Sequence, residues 1–104
     1  MNEAVKTSFG FSQNTLEQII NTLKKYPELE SAVIFGSRAK GNFREGSDID
    51  IAVFSKTLSD SSFAKICSDL EELPLLFKID CVHVEKLSRQ ALIDKIRSEG
   101  IQVL

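Results

Sequence analysis

Apolar positions along this chain recur in two periods, and the switches between them predict alternating helices and strands with short connections and no repeats. Leu16, Ile19, Ile20 and Leu23 stand at i, i+3, i+4 and i+7, the spacing that lines one face of a helix. Asn14 with Glu17 three residues on reads as a capping-box-like start, and Pro27 turns the chain out of helix near Tyr26. Ala32 to Phe35 is a short run of strand formers stopped by Gly36. Asp48 to Phe54 is a second strand, opened by the turn residues Gly46 and Ser47. The loop between them carries Arg38, Lys40 and Arg44. Ser59 and Asp60 then cap a second long helix with Phe63, Ile66, Cys67, Leu70 and Leu73 inward, closed by Pro74. Phe77 to Val84 reads as a third strand. Ser88 caps a last helix with Leu92, Ile93 and Ile96 inward, and Gly100 is expected to be left-handed after it. Ile101 to Leu104 makes a short terminal strand.

In an extended strand alternate side chains share a face, so Asp48 and Asp50 point one way, about 6.5 to 7 Å apart at Cα, while Ile49, Ile51 and Val53 point the other. Gly36-Ser37 ends the first strand and, ten residues later, Asp48 begins the second. A turn and two carboxylates that act together must lie at one end of a sheet, which makes the first two strands antiparallel neighbours. A helical crossover then leads to a parallel third strand. The fold class that follows is α+β, a small mixed β-sheet with helices mainly on one face. Lys78, Asp80, Val82 and Val84 share a face of the third strand, so Asp80 comes beside Asp48 and Asp50.

Three converging carboxylates repel unless cations neutralise them, and two bridged metals clamp the attacking and leaving oxygens of an in-line displacement. The candidate catalytic and metal-ligating residues are therefore Asp48, Asp50 and Asp80, with Asp50 bridging and Asp80 ligating a second metal or taking the proton of an incoming hydroxyl. Gly36 lets backbone approach a phosphate, the amides at Ser37 and Arg38 donate to it, and Ser37 adds a hydroxyl. Arg38 and Lys40, and less so Arg44, stand where they would neutralise a triphosphate tail. His83 falls on the opposite strand face with Ile79 and Cys81 and reads as a satisfied, partly buried histidine.

Composition narrows the remaining classes. A length of 104 residues suits one domain, 1–104, and 42% hydrophobic with 27% charged residues is ordinary for a soluble globular chain. No apolar run is long enough to span a membrane, and Met1 to Gly10 lacks the pattern of a secretion signal, so a cytoplasmic protein is expected. A net charge of -2 and a pI near 5.4 argue against a broad nucleic-acid footprint. Cys67 and Cys81 lack metal-ligand spacing and, in a reducing compartment, read as small buried hydrophobes.

Gly36-Ser37, ten residues, then Asp48-Ile49-Asp50 resembles the signature of the minimal nucleotidyltransferases of the DNA polymerase beta superfamily, with no departure in spacing. Phe77 to Val84 is similar to the strand that carries the family's third aspartate, and Glu99-Gly100 to the end of its closing helix. The resemblance implies a nucleotidyltransferase fold and a Mg2+-dependent, two-metal transfer of an NMP, most often AMP from ATP or another NTP, to an acceptor hydroxyl. It also implies a small helical partner, either a HEPN ribonuclease toxin or a substrate-binding-like subunit, with this chain as antitoxin. Two rival roles are a silent fold that neutralises its toxin by occlusion, and small-molecule modification beside a separate helical subunit. The residues add one hint of their own. Ala52, Phe54, Val82 and Val84 lie on the aspartates' face, to be covered by Phe9 and Phe11 or left as a patch for self-association or a helical partner.

Overall fold

Ser12, and not Asn14, starts the first helix in the computed structural model, which describes residues 6–104. Ser12 is extended (φ -71°, ψ 158°) and its hydroxyl accepts from the Thr15 amide at 3.1 Å, which leaves Asn14 inside the first turn of α1 (Gln13–Leu23). The chain continues through β1 (Ser31–Phe35), a one-turn α2 (Ser37–Lys40), β2 (Ile49–Phe54), α3 (Asp60–Glu71) and β3 (Ile79–His83). A 3-10 turn (Val84–Lys86), α4 (Gln90–Glu99) and β4 (Ile101–Gln102) complete it. Ser59 caps α3 as expected, accepting from the Ser62 amide. Arg89 rather than Ser88 precedes α4, without a side-chain cap.

The sheet has the order β3-β2-β1-β4. β1 runs antiparallel to β2, β2 parallel to β3, and β4 antiparallel to β1 at the far edge, the mixed arrangement expected from the motif. Register is what matters for chemistry: Asp50 faces Phe35 on one side and Asp80 on the other. β3 is shorter than the apolar run implies, because Val84 already enters the 3-10 turn while Phe77 and Lys78 lie ahead of the strand.

Strand alternation sorts the core into two layers. Ile49, Ile51 and Val53 of β2 pack with Ile19 and Leu23 of α1 and Ile66 and Leu70 of α3, all fully or almost fully removed from water. On the other face Ala52 and Phe35 pack against Ile96 of α4, with Phe54, Val82, Leu92 and Ile93 at the margin. Two of the three long helices therefore share one face, and α4 covers the second. This corrects the expectation of a bare apolar patch: α4 fills it, and Phe9 and Phe11 belong to the α1/α3 layer instead. His83 is buried, with Nε2 2.8 Å from the Ser55 carbonyl oxygen and Nδ1 without a partner, so the satisfied histidine expected is satisfied at one ring nitrogen only.

Gly100 is not left-handed but extended (φ -67°, ψ 143°). Its need for glycine is steric, since a Cβ there would lie 2.5 Å from the Ile96 carbonyl oxygen and 2.8 Å from Val33 Cγ2. The close passage lets the chain drop from α4 straight into β4 beside β1. Among the described residues no helix is long and apolar enough to cross a membrane.

Candidate active site

The sharpest local feature is the way the chain leaves β1. Gly36 adopts φ 76°, ψ -154°, a backbone region that strains any residue bearing a side chain. A Cβ at this position would overlap the Asp50 carboxylate. The turn thus rests directly on that side chain, and Ser37 follows to open α2, its carbonyl accepting from the amides of Gly41 (3.0 Å) and Asn42 (3.2 Å). The Gly-Ser turn and Asp50 are brought together as the sequence spacing requires.

Asp50 also senses the other two carboxylates. Burial, and then Asp80 and Asp48 in that order, push its carboxyl up from the ordinary value, while Lys95 of α4 opposes the rise. Asp48 and Asp80 themselves are exposed, at the open end of the sheet. Lys78 Nζ lies 3.9 Å from Asp80 Oδ1 in a solvent-exposed pair. Among the described residues no three His, Cys, Asp or Glu side chains stand close enough to cage a metal ion. The donor set still fits magnesium in kind, since all three groups are hard oxygen ligands and Asp48 and Asp80 both act on the Asp50 carboxyl.

The basic residues of the loop divide. Lys40 is partly exposed, with Nζ 3.9 Å from Glu99 Oε2, so a side chain from α4 holds it beside the turn; the other oxygen of that carboxylate, Oε1, is buried without a partner. Arg44 is exposed. Arg38 departs from the expected role of phosphate ligand. Its side chain is buried, with the guanidinium donating twice to the Ser47 carbonyl (Nε 3.0 Å, Nη2 2.8 Å) and once to the Phe9 carbonyl (Nη1 2.9 Å). The rings of Phe77, Phe43 and Phe11 surround it at 4.8, 5.1 and 5.7 Å from Cζ. Burial lowers its basicity, and the nearby Asp48 works against that. Arg38 thereby fastens the residue immediately before Asp48. A cavity of about 340 Å³ beyond it is lined by Phe11, Thr15, Phe43 and Phe77 and includes none of the three aspartates.

Two residues beside the site were given no role there by the sequence, Lys95 and Glu99, the latter read only as the end of the closing helix. Both sit on α4, and their relevance depends on that helix crossing to the aspartates' face.

A family model described as polymerase beta, nucleotidyltransferase matches residues 17–104, nearly the whole described chain and every site residue above. The chain belongs to the polymerase beta nucleotidyltransferase family. Its resemblance to the minimal nucleotidyltransferases is carried further by solved structures. A toxin-antitoxin with AMP-PNP contains a chain 29% identical, with TM-score 0.70, over 84% of this chain and 70% of that one. A tri-AMPylated HEPN toxin in complex with an MNT antitoxin, from Shewanella oneidensis, matches at 27% identity and TM-score 0.66, over 86% of this chain and 69% of that one. A putative nucleotidyltransferase from Sulfolobus solfataricus shares the fold at 18% identity and TM-score 0.52, over 97% of this chain and 90% of that one. No curated protein matches the sequence.

Alanine at position 36 tests the turn. Gly36→Ala forces a Cβ into the Asp50 carboxylate in a backbone region that disfavours it, so a cost of about 1–3 kcal/mol is expected. Nucleotidyl transfer should fall further than stability does, because the carboxylate itself is displaced. Thermal unfolding and transfer assayed well below the variant's Tm separate the two; unchanged transfer would remove the turn from the site.

Proposed function

We propose that this nucleotidyltransferase moves an NMP, AMP from ATP foremost, onto a hydroxyl of a helical partner protein of the HEPN toxin class, and so acts as an antitoxin. The observation that carries the proposal is the Gly36-Ser37 turn resting on Asp50, with Asp80 opposite it in the sheet and Asp48 near enough to raise its carboxyl. Two solved relatives support the substrate and the partner, one a toxin-antitoxin with AMP-PNP and the other an AMPylated HEPN toxin with its MNT antitoxin.

In this reading the amides and hydroxyl of the turn hold the β- and γ-phosphates, and Lys40 stands by to balance their charge. Asp80, exposed at the sheet end, accepts the proton of the incoming hydroxyl. The hydroxyl oxygen bonds to the α-phosphorus, the bond from that phosphorus to the bridging oxygen breaks, and pyrophosphate leaves. Asp48 and Asp50, with Asp80 where it does not serve as the base, would hold magnesium, which would supply charge neutralisation for the phosphates and their transition state. The exposure of Asp48 and Asp80 leaves one side of the site for an acceptor protein to complete.

Intact-mass spectrometry of a HEPN-class helical protein that binds this chain, after incubation with the chain, ATP and magnesium, tests the proposal. A gain of one or more AMP groups, absent with Asp48→Ala/Asp50→Ala, is expected. A stable complex without mass gain would replace transfer by occlusion.

A further inference from the structure

The two cysteines were expected to be buried fillers, yet each is free and partly accessible. Their placement follows from how α3 lies on β3. Because β2 and β3 are parallel, the helix that connects them runs back antiparallel to both. Phe63 of α3 sits over His83 of β3, with ring centroids 5.7 Å apart. Cys67 is four residues on from Phe63, about 6 Å further along the same helix face. Cys81 is two residues back from His83, about 6.6 Å along the same strand face in the same direction in space. The Phe63–His83 contact therefore carries the next pair, Cys67 and Cys81, into register, and Cys81 lies against the core layer formed by Ile66 and Leu70 of α3.

We propose that Cys67 and Cys81 form a peroxide-oxidisable thiol pair that closes to an intrachain disulfide and fastens α3 to the edge strand carrying Asp80. The neighbouring Cys81 thiol draws Cys67 down to about 7, so Cys67 supplies the thiolate. Its sulfur attacks one oxygen of hydrogen peroxide, the S–O bond forms, the O–O bond breaks, and the hydroxide released leaves as water once protonated. Cys81 then loses its proton and attacks the Cys67 sulfur, forming the S–S bond and expelling the sulfenic oxygen as a second water. Two thiols lose two electrons and one peroxide gains them.

Cys81 and Asp80 are adjacent and point to opposite faces of β3. The clamp acts on the buried side of the strand whose open side bears the third carboxylate. It is independent of the transfer reaction, so its test uses mass rather than activity.

The purified full chain is treated with a small molar excess of hydrogen peroxide and analysed by intact mass and non-reducing peptide mapping. The expected product is a monomer lighter by about 2 Da, with the Cys67 and Cys81 peptides linked and the change reversed by dithiothreitol. In Cys81→Ser the reaction should stop at a sulfenic acid on Cys67, trapped by dimedone, and the oxidised wild-type chain should melt at a higher temperature than the reduced one. Oxygen addition without the cross-link, dimers linked between chains, or unreacted thiols would each overturn the proposal.

Discussion

Asn in place of Asp50 is expected to abolish nucleotidyl transfer while raising the melting temperature of the metal-free chain. The two effects have one origin. Asp50 is the carboxylate on which the Gly36 turn rests and on which Asp48 and Asp80 both act, so it is the group that a divalent cation and the reacting phosphate would share. Removing its charge takes away several kcal/mol of transition-state stabilisation, a fall in rate of about a thousandfold or more. Asn preserves the shape, so turn and strand stay in place. It also ends the burial and repulsion of a charge that nothing in the protein neutralises fully.

The pH dependence gives an independent check. The folded-state carboxyl of Asp50 is raised above its ordinary 3.8 by burial first and by Asp80 and Asp48 next. A group raised in this way contributes stability fully below the unfolded value and loses it as pH rises through the folded one. The metal-free wild type should lose stability over that window, from about pH 4 upward, more steeply than Asp50→Asn. Magnesium should raise the wild-type Tm at pH 7 and raise that of the variant much less, if the folded trio holds the cation as proposed. A variant that still transfers AMP, or that gains as much from magnesium as the wild type, would remove Asp50 from the centre of the site.

How far the site could be read in advance depended on which rule governed each residue. The pairing of Asp50 with Asp80 was legible because strand alternation is a strict period of two and the Gly36-Ser37 turn fixed which ends of the strands meet, whereas Asp48, expected to open the second strand, lies just ahead of β2. The antiparallel and parallel pairings followed from that single constraint. The side on which α4 packs did not, since Leu92, Ile93 and Ile96 name an inward face without naming the sheet face it meets. That choice hid Lys95 and Glu99 and made a covered surface look bare. The first cap was misplaced by two residues. Ser12 wins over Asn14 because the extended backbone that a cap needs ends there, just after Phe11 enters the core. Gly100 was legible as a required glycine and misread in its cause, which is proximity to Ile96 and Val33 rather than a positive φ.

Arg38→Ala is expected to lower stability by about 3–5 kcal/mol, a fall in Tm on the order of 15 °C or more. A basic residue in a phosphate-binding loop is ordinarily solvated, and its loss changes KM for the nucleotide without touching the fold. Here Arg38 is 2% exposed and its guanidinium makes three hydrogen bonds to main-chain carbonyls, two to Ser47 and one to Phe9. Truncation leaves both carbonyls without that donor and opens a hole among Phe11, Phe43 and Phe77. Lysine should rescue little, because one ammonium cannot fork onto Ser47 and reach Phe9 as well. The loss should extend to transfer, since Ser47 precedes Asp48 and its carbonyl is what the fork holds. Thermal unfolding of Arg38→Ala and Arg38→Lys decides the matter. An unchanged Tm with a raised KM would return Arg38 to the phosphates, whereas a large drop in both variants makes it the buried clamp that sets the position of Asp48.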